Sequence, residues 1–278
     1  MEIHRSRTVP FENAGINALA FSHSNPSTLK SDNSSLKLFV GRSNGDLECW
    51  AIGYKGDWVQ ETVFHGGKDR SIEGLACIQN PDEEGREGKK IPGQLRLFSI
   101  GYSSSVTEWD LARGLPLRHS SGSTSEIWSL EAQPRLNAHE TQKIITGCAD
   151  GSLILFDTAE NDLVYFKTIG RNTEKKARVL SITWQSRNKV VTGYADSTIR
   201  CWDVSKGTLI RSISLGAAPA GAPKETLVWT VKALPNGDIV SGDSLGEIRV
   251  CMYFMYYINK LLANNIQTME NNTPKRTE

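Results

Sequence analysis

The chain has 278 residues, 38% of them hydrophobic and 23% charged, and a formal net charge of +1. That is the balance of an ordinary folded protein with enough length for a substantial core; near-neutrality argues against a whole-surface nucleic-acid binder and leaves local basic patches open. Met1-Glu2-Ile3-His4-Arg5 lacks the apolar core of a signal peptide, and the run from Cys251 to Ile258 is too short to span a bilayer. An intracellular protein without a membrane partner is therefore expected, in which the N-x-S/T matches at Asn33 and Asn271 carry no glycan.

In chain order, one pattern returns five times. An apolar run (Ile16 to Phe21) precedes a second run closed by Gly41, a polar turn, and a third run ending in Trp50. The next unit has Ile72 to Ile78, Leu97-Phe-Ser-Ile-Gly101, and a run ending in Trp109-Asp110. The third has Ile127 to Ala132, Lys143-Ile-Ile-Thr-Gly147, and a run ending in Phe156-Asp157. The fourth has Val179 to Trp184, Lys189-Val-Val-Thr-Gly193, and a run ending in Trp202-Asp203. The fifth has Leu227 to Ala233 and Asp238-Ile-Val-Ser-Gly242, followed by a run to Val250. Lys143 to Asp157 aligns with Lys189 to Asp203 without a gap, at an offset of 46 residues. A period of about 45 residues is that of WD-type propeller blades.

Each unit reads as strand, strand, tight turn, strand. Ala149-Asp150-Gly151 and its equivalents supply the turn, because Gly and Asp tolerate positive φ. A fourth, outer strand follows in places, as at Leu163 to Thr168, and the polar stretch Asn80 to Gln94 reads as an exposed loop inserted in the second unit. One small sheet cannot bury both faces alone, so blades stack side by side. A Trp at the strand end adds apolar area and an N–H, for which Thr146, Thr192 and Ser241 are candidate hydroxyl partners. The histidine that joins this network in a full WD repeat is matched only by His65-Gly66. The fold expected is all-β: a partial WD-repeat β-propeller over residues 1–250, with five recognisable blades anchored near Gly41, Gly101, Gly147, Gly193 and Gly242, and an atypical tail at 251–278.

No P-loop, nucleophile elbow or zincin motif is present. The five histidines, His4, His23, His65, His119 and His139, fall mostly in polar segments. The five cysteines form no C-x-x-C pair and read as reduced, buried hydrophobes. A non-catalytic protein is expected, with no cofactor, metal or small-molecule substrate. One rim carries Lys68, Arg70, Arg171, Lys175, Lys176 and Arg178 just before the inner strands of blades two and four. These cations would either neutralise RNA phosphates or form a solvated loop, with Arg178 alternatively structural. No aromatic base-stacking platform is interleaved with them.

Particular stretches resemble the cirhin family: His4-Arg5-Ser6-Arg7 followed by Ile16-Asn-Ala-Leu-Ala-Phe21, then Leu97-Phe-Ser-Ile-Gly101, Ile127-Trp-Ser-Leu130, Arg178-Val-Leu-Ser-Ile-Thr-Trp184, and Leu227-Val-Trp229 to Ser241-Gly-Asp-Ser-Leu-Gly246. The resemblance covers residues 1 to about 250. It implies a nucleolar scaffold of the small-subunit processome, associated with U3 small nucleolar RNA. Its partners would be other processome proteins and the 5′ external transcribed spacer of pre-rRNA, and its role pre-rRNA processing and 18S rRNA maturation. The rival is a generic WD adaptor, such as a ubiquitin-ligase substrate receptor. The family has tandem propellers and a helical C-terminal region. Here Cys251-Met-Tyr-Phe-Met-Tyr-Tyr-Ile258 stands where a fifth Trp-Asp belongs. A truncated gene model is the expectation, with an apolar helix over Met252 to Leu262, disorder from Ala263, and poor solubility from uncovered sheet edges.

Overall fold

A computed structural model describes residues 14–22, 36–53, 55–66, 70–85, 90–170, 176–216 and 225–251. The tail expectations at 252–278 lie outside these residues. The described chain is all-β, a series of propeller blades. Sheet one is β1 (Ile16–Phe21), β2 (Lys37–Arg42), β3 (Leu47–Ile52) and β4 (Trp58–Phe64) in spatial order. Sheet two contains β5 (Gly74–Gln79), β8 (Leu95–Ile100), β9 (Ser105–Asp110) and β10 (Leu115–Ser121), with the short pair β6 (Glu83–Glu84) and β7 (Lys90–Ile91) inserted after β5. Sheet three is β11 (Ile127–Ala132), β12 (Ile144–Cys148), β13 (Leu153–Asp157) and β14 (Val164–Ile169). Sheet four is β15 (Val179–Ser186), β16 (Lys189–Tyr194), β17 (Thr198–Asp203) and β18 (Thr208–Ser214). Sheet five has three described strands, β19 (Val228–Ala233), β20 (Ile239–Asp243) and β21 (Ile248–Cys251).

The chain divides into two compact units, Met1–Ile144 with Phe156–Phe166, and Ile145–Leu155 with Lys167–Glu278. In the first, Phe39, Leu47 and Phe64 of sheet one pack with Leu75, Leu97 and Trp109 of sheet two. In the second, one cluster joins Val179, Val190, Tyr194 and Trp202 to Ile145, Leu153 and Ile169, and another joins Val191 and Ile199 to Val228, Val231 and Ile239. Alternate strand residues thus face a neighbouring sheet on each side, as the pleat dictates.

The register revises the anchor of blade two. Ala18 faces Gly41, Ser181 faces Gly193 and Thr230 faces Gly242, but the equivalent pair in sheet two is Gly74 opposite Ile100. Gly101 lies one residue beyond, outside β8. The glycine has changed strands because only one member of the pair can be large. A Cβ on Gly242 would meet Thr230 Cγ2 at 2.9 Å, and one on Gly74 would meet Ile100 Cγ1 at 2.8 Å.

The insertion at 80–94 holds a small hairpin rather than a bare loop. Arg135 pins its base, donating to Gln79 Oε1 at 2.8 Å and to Asp82 Oδ1 at 2.9 Å. Burial would raise the Asp82 carboxyl, but the Arg135 guanidinium and the Gly93 N–H outweigh it and hold it below its ordinary value. Cys251 sits opposite Ile239 at the register position that Trp202 occupies opposite Val190 in sheet four. The described cysteines are free thiols; Cys49 and Cys148 are buried, Cys77 and Cys201 partly so.

Candidate functional site

The strand-end tryptophans find different partners, and the register explains why. Trp202 donates its Nε1–H to Thr192 Oγ1 at 3.1 Å, and the same hydroxyl donates to the Arg200 carbonyl. Trp109 donates to Ser99 Oγ at 2.9 Å. In sheet one the hydroxyl position is Val40, so Trp50 turns to Glu48 Oε2 at 2.9 Å. Phe156 has no donor, and Thr146 Oγ1 meets the Ile154 carbonyl instead of an indole. His65 Nδ1 lies 3.3 Å from Asp46 Oδ1 in the β2–β3 turn, away from the tryptophan.

The aspartates after the aromatic residues cap outer turns. Asp110 accepts from the Ala112 and Arg113 N–H groups, and Asp203 from the Lys206 N–H and the Ser205 hydroxyl. The Ser205 hydroxyl and the Lys206 N–H hold the Asp203 carboxyl below its ordinary value. Burial would raise Asp157, but Lys143 Nζ at 2.7 Å and the Ala159 N–H outweigh it, and its carboxyl is lowered.

The rim cations fall into separate groups. In the first unit, Arg70 is exposed at the approach to β5, where the Ile72 N–H bonds the Arg42 carbonyl and the Glu73 N–H bonds the Ile100 carbonyl. In the second, Lys176 and Arg178 are exposed on either side of buried Ala177, at the approach to β15. The Ala195 N–H bonds the Arg178 carbonyl, which fixes this approach against the β16–β17 turn. Lys68, Arg171 and Lys175 lie outside the described residues.

Beside Arg70 a groove of about 480 Å³ runs between the ends of sheets one and two. Its lining includes apolar Ile72, Ile100, Trp109 and Pro116 and polar Ser103, Ser105, Thr107 and His119. Tyr102, 63% exposed at its margin, meets Trp128 edge-on with ring centroids 5.9 Å apart.

A further network was not singled out from sequence. Arg96 and Glu108, both about 4% exposed, pair at 2.6 and 2.9 Å, while Arg96 also donates to the Thr158 and Asp162 carbonyls. These bonds engage four of the guanidinium's five N–H groups, the kind of compensation a buried charge requires. The signal available was a charged residue inside each of two apolar strands, Leu95-Arg96-Leu97 and Thr107-Glu108-Trp109. Among the described residues, no group of three or more His, Cys, Asp or Glu side chains is arranged to hold a metal ion, and no helix is long and apolar enough to cross a membrane.

Residues 167–203 match the family described as WD domain, G-beta repeat. The chain is 39% identical over 261 residues to U3 small nucleolar RNA-associated protein 4 of Saccharomyces cerevisiae, covering 90% of this chain and 30% of that protein. It is 36% identical to the protein of the same name from Schizosaccharomyces pombe, and 26% identical to the Homo sapiens homolog over 89% of this chain. Among solved structures, the β-propeller domain of Myceliophteria thermophila Cps50 (Swd1) superposes with a TM-score of 0.53 at 17% identity, covering 77% of this chain and 61% of that one. The chain thus carries a WD repeat within propeller-type sheets, and it spans about a third of the length of the U3 small nucleolar RNA-associated relatives it resembles.

Proposed function

We propose that this chain is a non-catalytic scaffold of ribosome biogenesis that works within the small-subunit processome in the nucleolus. The observation that carries the reading is similarity along 90% of the chain to proteins named for association with U3 small nucleolar RNA, in distant fungi and in mammals. Propeller blades suit this role physically. A stack of small sheets holds turns and connecting loops in fixed positions, and binding residues concentrate on such loops. On this reading the chain holds neighbouring processome proteins and the 5′ external transcribed spacer in fixed geometry, in support of pre-rRNA processing and 18S rRNA maturation. Arg70 in the first unit, Lys176 and Arg178 in the second, and Lys68, Arg171 and Lys175 as read from the sequence are the cations that would meet RNA phosphates. Their contacts would be sequence-tolerant and salt-sensitive.

The test is purification of the genomically tagged protein, with co-purifying proteins and RNA identified together. Processome proteins with pre-rRNA and U3 RNA are expected. Recovery of ubiquitin-ligase subunits without ribosomal RNA would move the chain to the generic adaptor class.

A further inference from the structure

The turn between β8 and β9 carries a residue type that the other sheets do not have at that position. Ile100 stands opposite Gly74 where Gly193 stands opposite Ser181, so Tyr102 takes the place of Ala195 in sheet four. The same position is Ser43 in sheet one, Ala149 in sheet three and Ser244 in sheet five. Small residues close those turns, so packing does not call for a ring. Tyr102 is 63% exposed and forgoes the burial from which an aromatic side chain usually gains. Its backbone is nevertheless fixed. The Ile100 carbonyl accepts from the Glu73 N–H at 2.8 Å, the Gly101 carbonyl from the Ser103 N–H at 2.7 Å, and the Ser103 carbonyl from the Ile127 N–H at 2.8 Å. Trp128 meets the ring edge-on, and the charge of the Glu73 carboxylate beside the phenol raises it above its ordinary value. Tyr102 is thus a braced ring with most of its surface open to solvent.

The rim cations have no aromatic residue interleaved with them in sequence, but the fold supplies one. Tyr102 and Arg70 line the same groove, within the first compact unit. The hydroxyls of Ser103, Ser105 and Thr107 line it with them. An open ring, an exposed guanidinium and hydroxyls that both donate and accept are the three things an unpaired nucleotide uses, for its base, its phosphate and its ribose or base edge. The volume of about 480 Å³ is that of a small-ligand site. Glu73 bears on the site by holding Tyr102; its carboxylate is also engaged by Asn17 Nδ2 at 3.0 Å and by the Ser71 hydroxyl. An acidic peptide would use Arg70 and leave the ring idle, and a basic peptide would meet Arg70 as a like charge. We propose, resting on the reading of Arg70 as a phosphate contact, that this groove holds one unpaired nucleotide of RNA, its base stacked on Tyr102 and its phosphate on Arg70. Stacking is nearly indifferent to base identity, which agrees with sequence-tolerant binding.

The test uses the full chain and fluorescence anisotropy over a salt series, with two labelled probes: a short oligoadenylate, and the same strand with abasic ribose analogues in place of its nucleosides. The abasic strand keeps every phosphate and loses every base, so wild type should bind it more weakly. Tyr102→Ala should weaken oligoadenylate binding about fivefold or more, leave its salt slope unchanged, and leave the abasic strand unaffected. Tyr102→Phe keeps the ring, loses the hydroxyl that faces Glu73, and should retain wild-type binding. Arg70→Glu should weaken both strands and flatten the slope by about 0.7 for each phosphate no longer neutralised. Thermal unfolding checks each variant, and the comparison of the two strands on wild type holds even where a variant does not fold. Equal binding of both strands by wild type, or wild-type affinity of Tyr102→Ala for oligoadenylate, would overturn the stacking site; a slope still flattened by Arg70→Glu would then leave the phosphate contact standing. No binding of either strand would overturn both. Competition by AMP as strong as by the strand itself would assign the groove to a free mononucleotide, and displacement of the strand by a glutamate-rich peptide would assign it to a protein; either result overturns the proposal.

Discussion

Trp202 shows how one hydrogen bond is placed and how much it matters. Its indole is 5% exposed, and its N–H meets a hydroxyl that is itself fully buried and already donating to a carbonyl. Trp202→Phe removes the donor while keeping an aromatic ring, the arrangement that Phe156 has naturally in the third sheet. The cost should be about 1 kcal/mol, the net worth of an ordinary buried hydrogen bond. Thr192→Val should cost somewhat more, because it also abandons the Arg200 carbonyl. Urea unfolding of the two single variants and the double variant gives the coupling. Strict additivity would mean that the two side chains do not act together. The tryptophans and the Thr192 hydroxyl were legible in sequence, since both residue types recur at fixed spacing, whereas Ser99, the partner of Trp109, stands two residues before Gly101 rather than one and was not. The Trp50 partner was not, because Val40 removes the hydroxyl and a carboxylate two residues before the tryptophan takes its place.

At the scale of strands, the inner runs were readable almost to the residue: Ile16 to Phe21 and Ile127 to Ala132 are β1 and β11. Short apolar runs punctuated by Gly, Asp and Ser leave little freedom over where a strand starts. The exchange of the glycine between β8 and β5 was hidden, because a ladder's register depends on which residue lies opposite, and sequence spacing does not report that. The physical claim is that Gly74 and Ile100 share one space. Gly74→Ser alone forces a Cβ to within 2.8 Å of Ile100 and should cost about 1–3 kcal/mol by overpacking. Ile100→Gly alone opens a cavity and should cost about 2–5 kcal/mol. The double variant recreates the Ser181–Gly193 pair of sheet four, so it should cost clearly less than the sum of its parts. Chemical denaturation measures all three. A double variant as damaging as the sum would show that the glycine exchange is incidental to packing. The Asn80 to Gln94 insertion was also only half legible. Its polarity marks an exposed segment, but the clamp that orders its base comes from Arg135, more than 50 residues away in sequence.

For the molecule as a whole, the repeat announced a series of blades, while the cations proposed to meet RNA are spread along the chain. The basic residues could be found in sequence because they precede inner strands. The groove could not, because its lining brings together Gly45 and Gly66 of the first blade with Arg70, Thr107 and His119, residues far apart in sequence. Exposure of Arg70, Lys176 and Arg178 gives the RNA reading a quantitative form. Each phosphate neutralised on a single strand releases condensed counterions and steepens the fall of log affinity with log salt by about 0.7. Arg70→Glu and Lys176→Glu, each titrated with oligouridylate and with a mixed-sequence oligoribonucleotide over a salt series, should lower affinity equally for both sequences. Each should also flatten the salt slope by about 0.7 for every phosphate that is no longer neutralised. Arg178→Glu belongs in the same series, with thermal unfolding alongside, because Arg178 joins the β15 approach and a structural role would reduce stability without changing the slope. If all three variants keep the wild-type slope, these residues are solvated loop cations, and any hold on RNA must come from elsewhere on the blades.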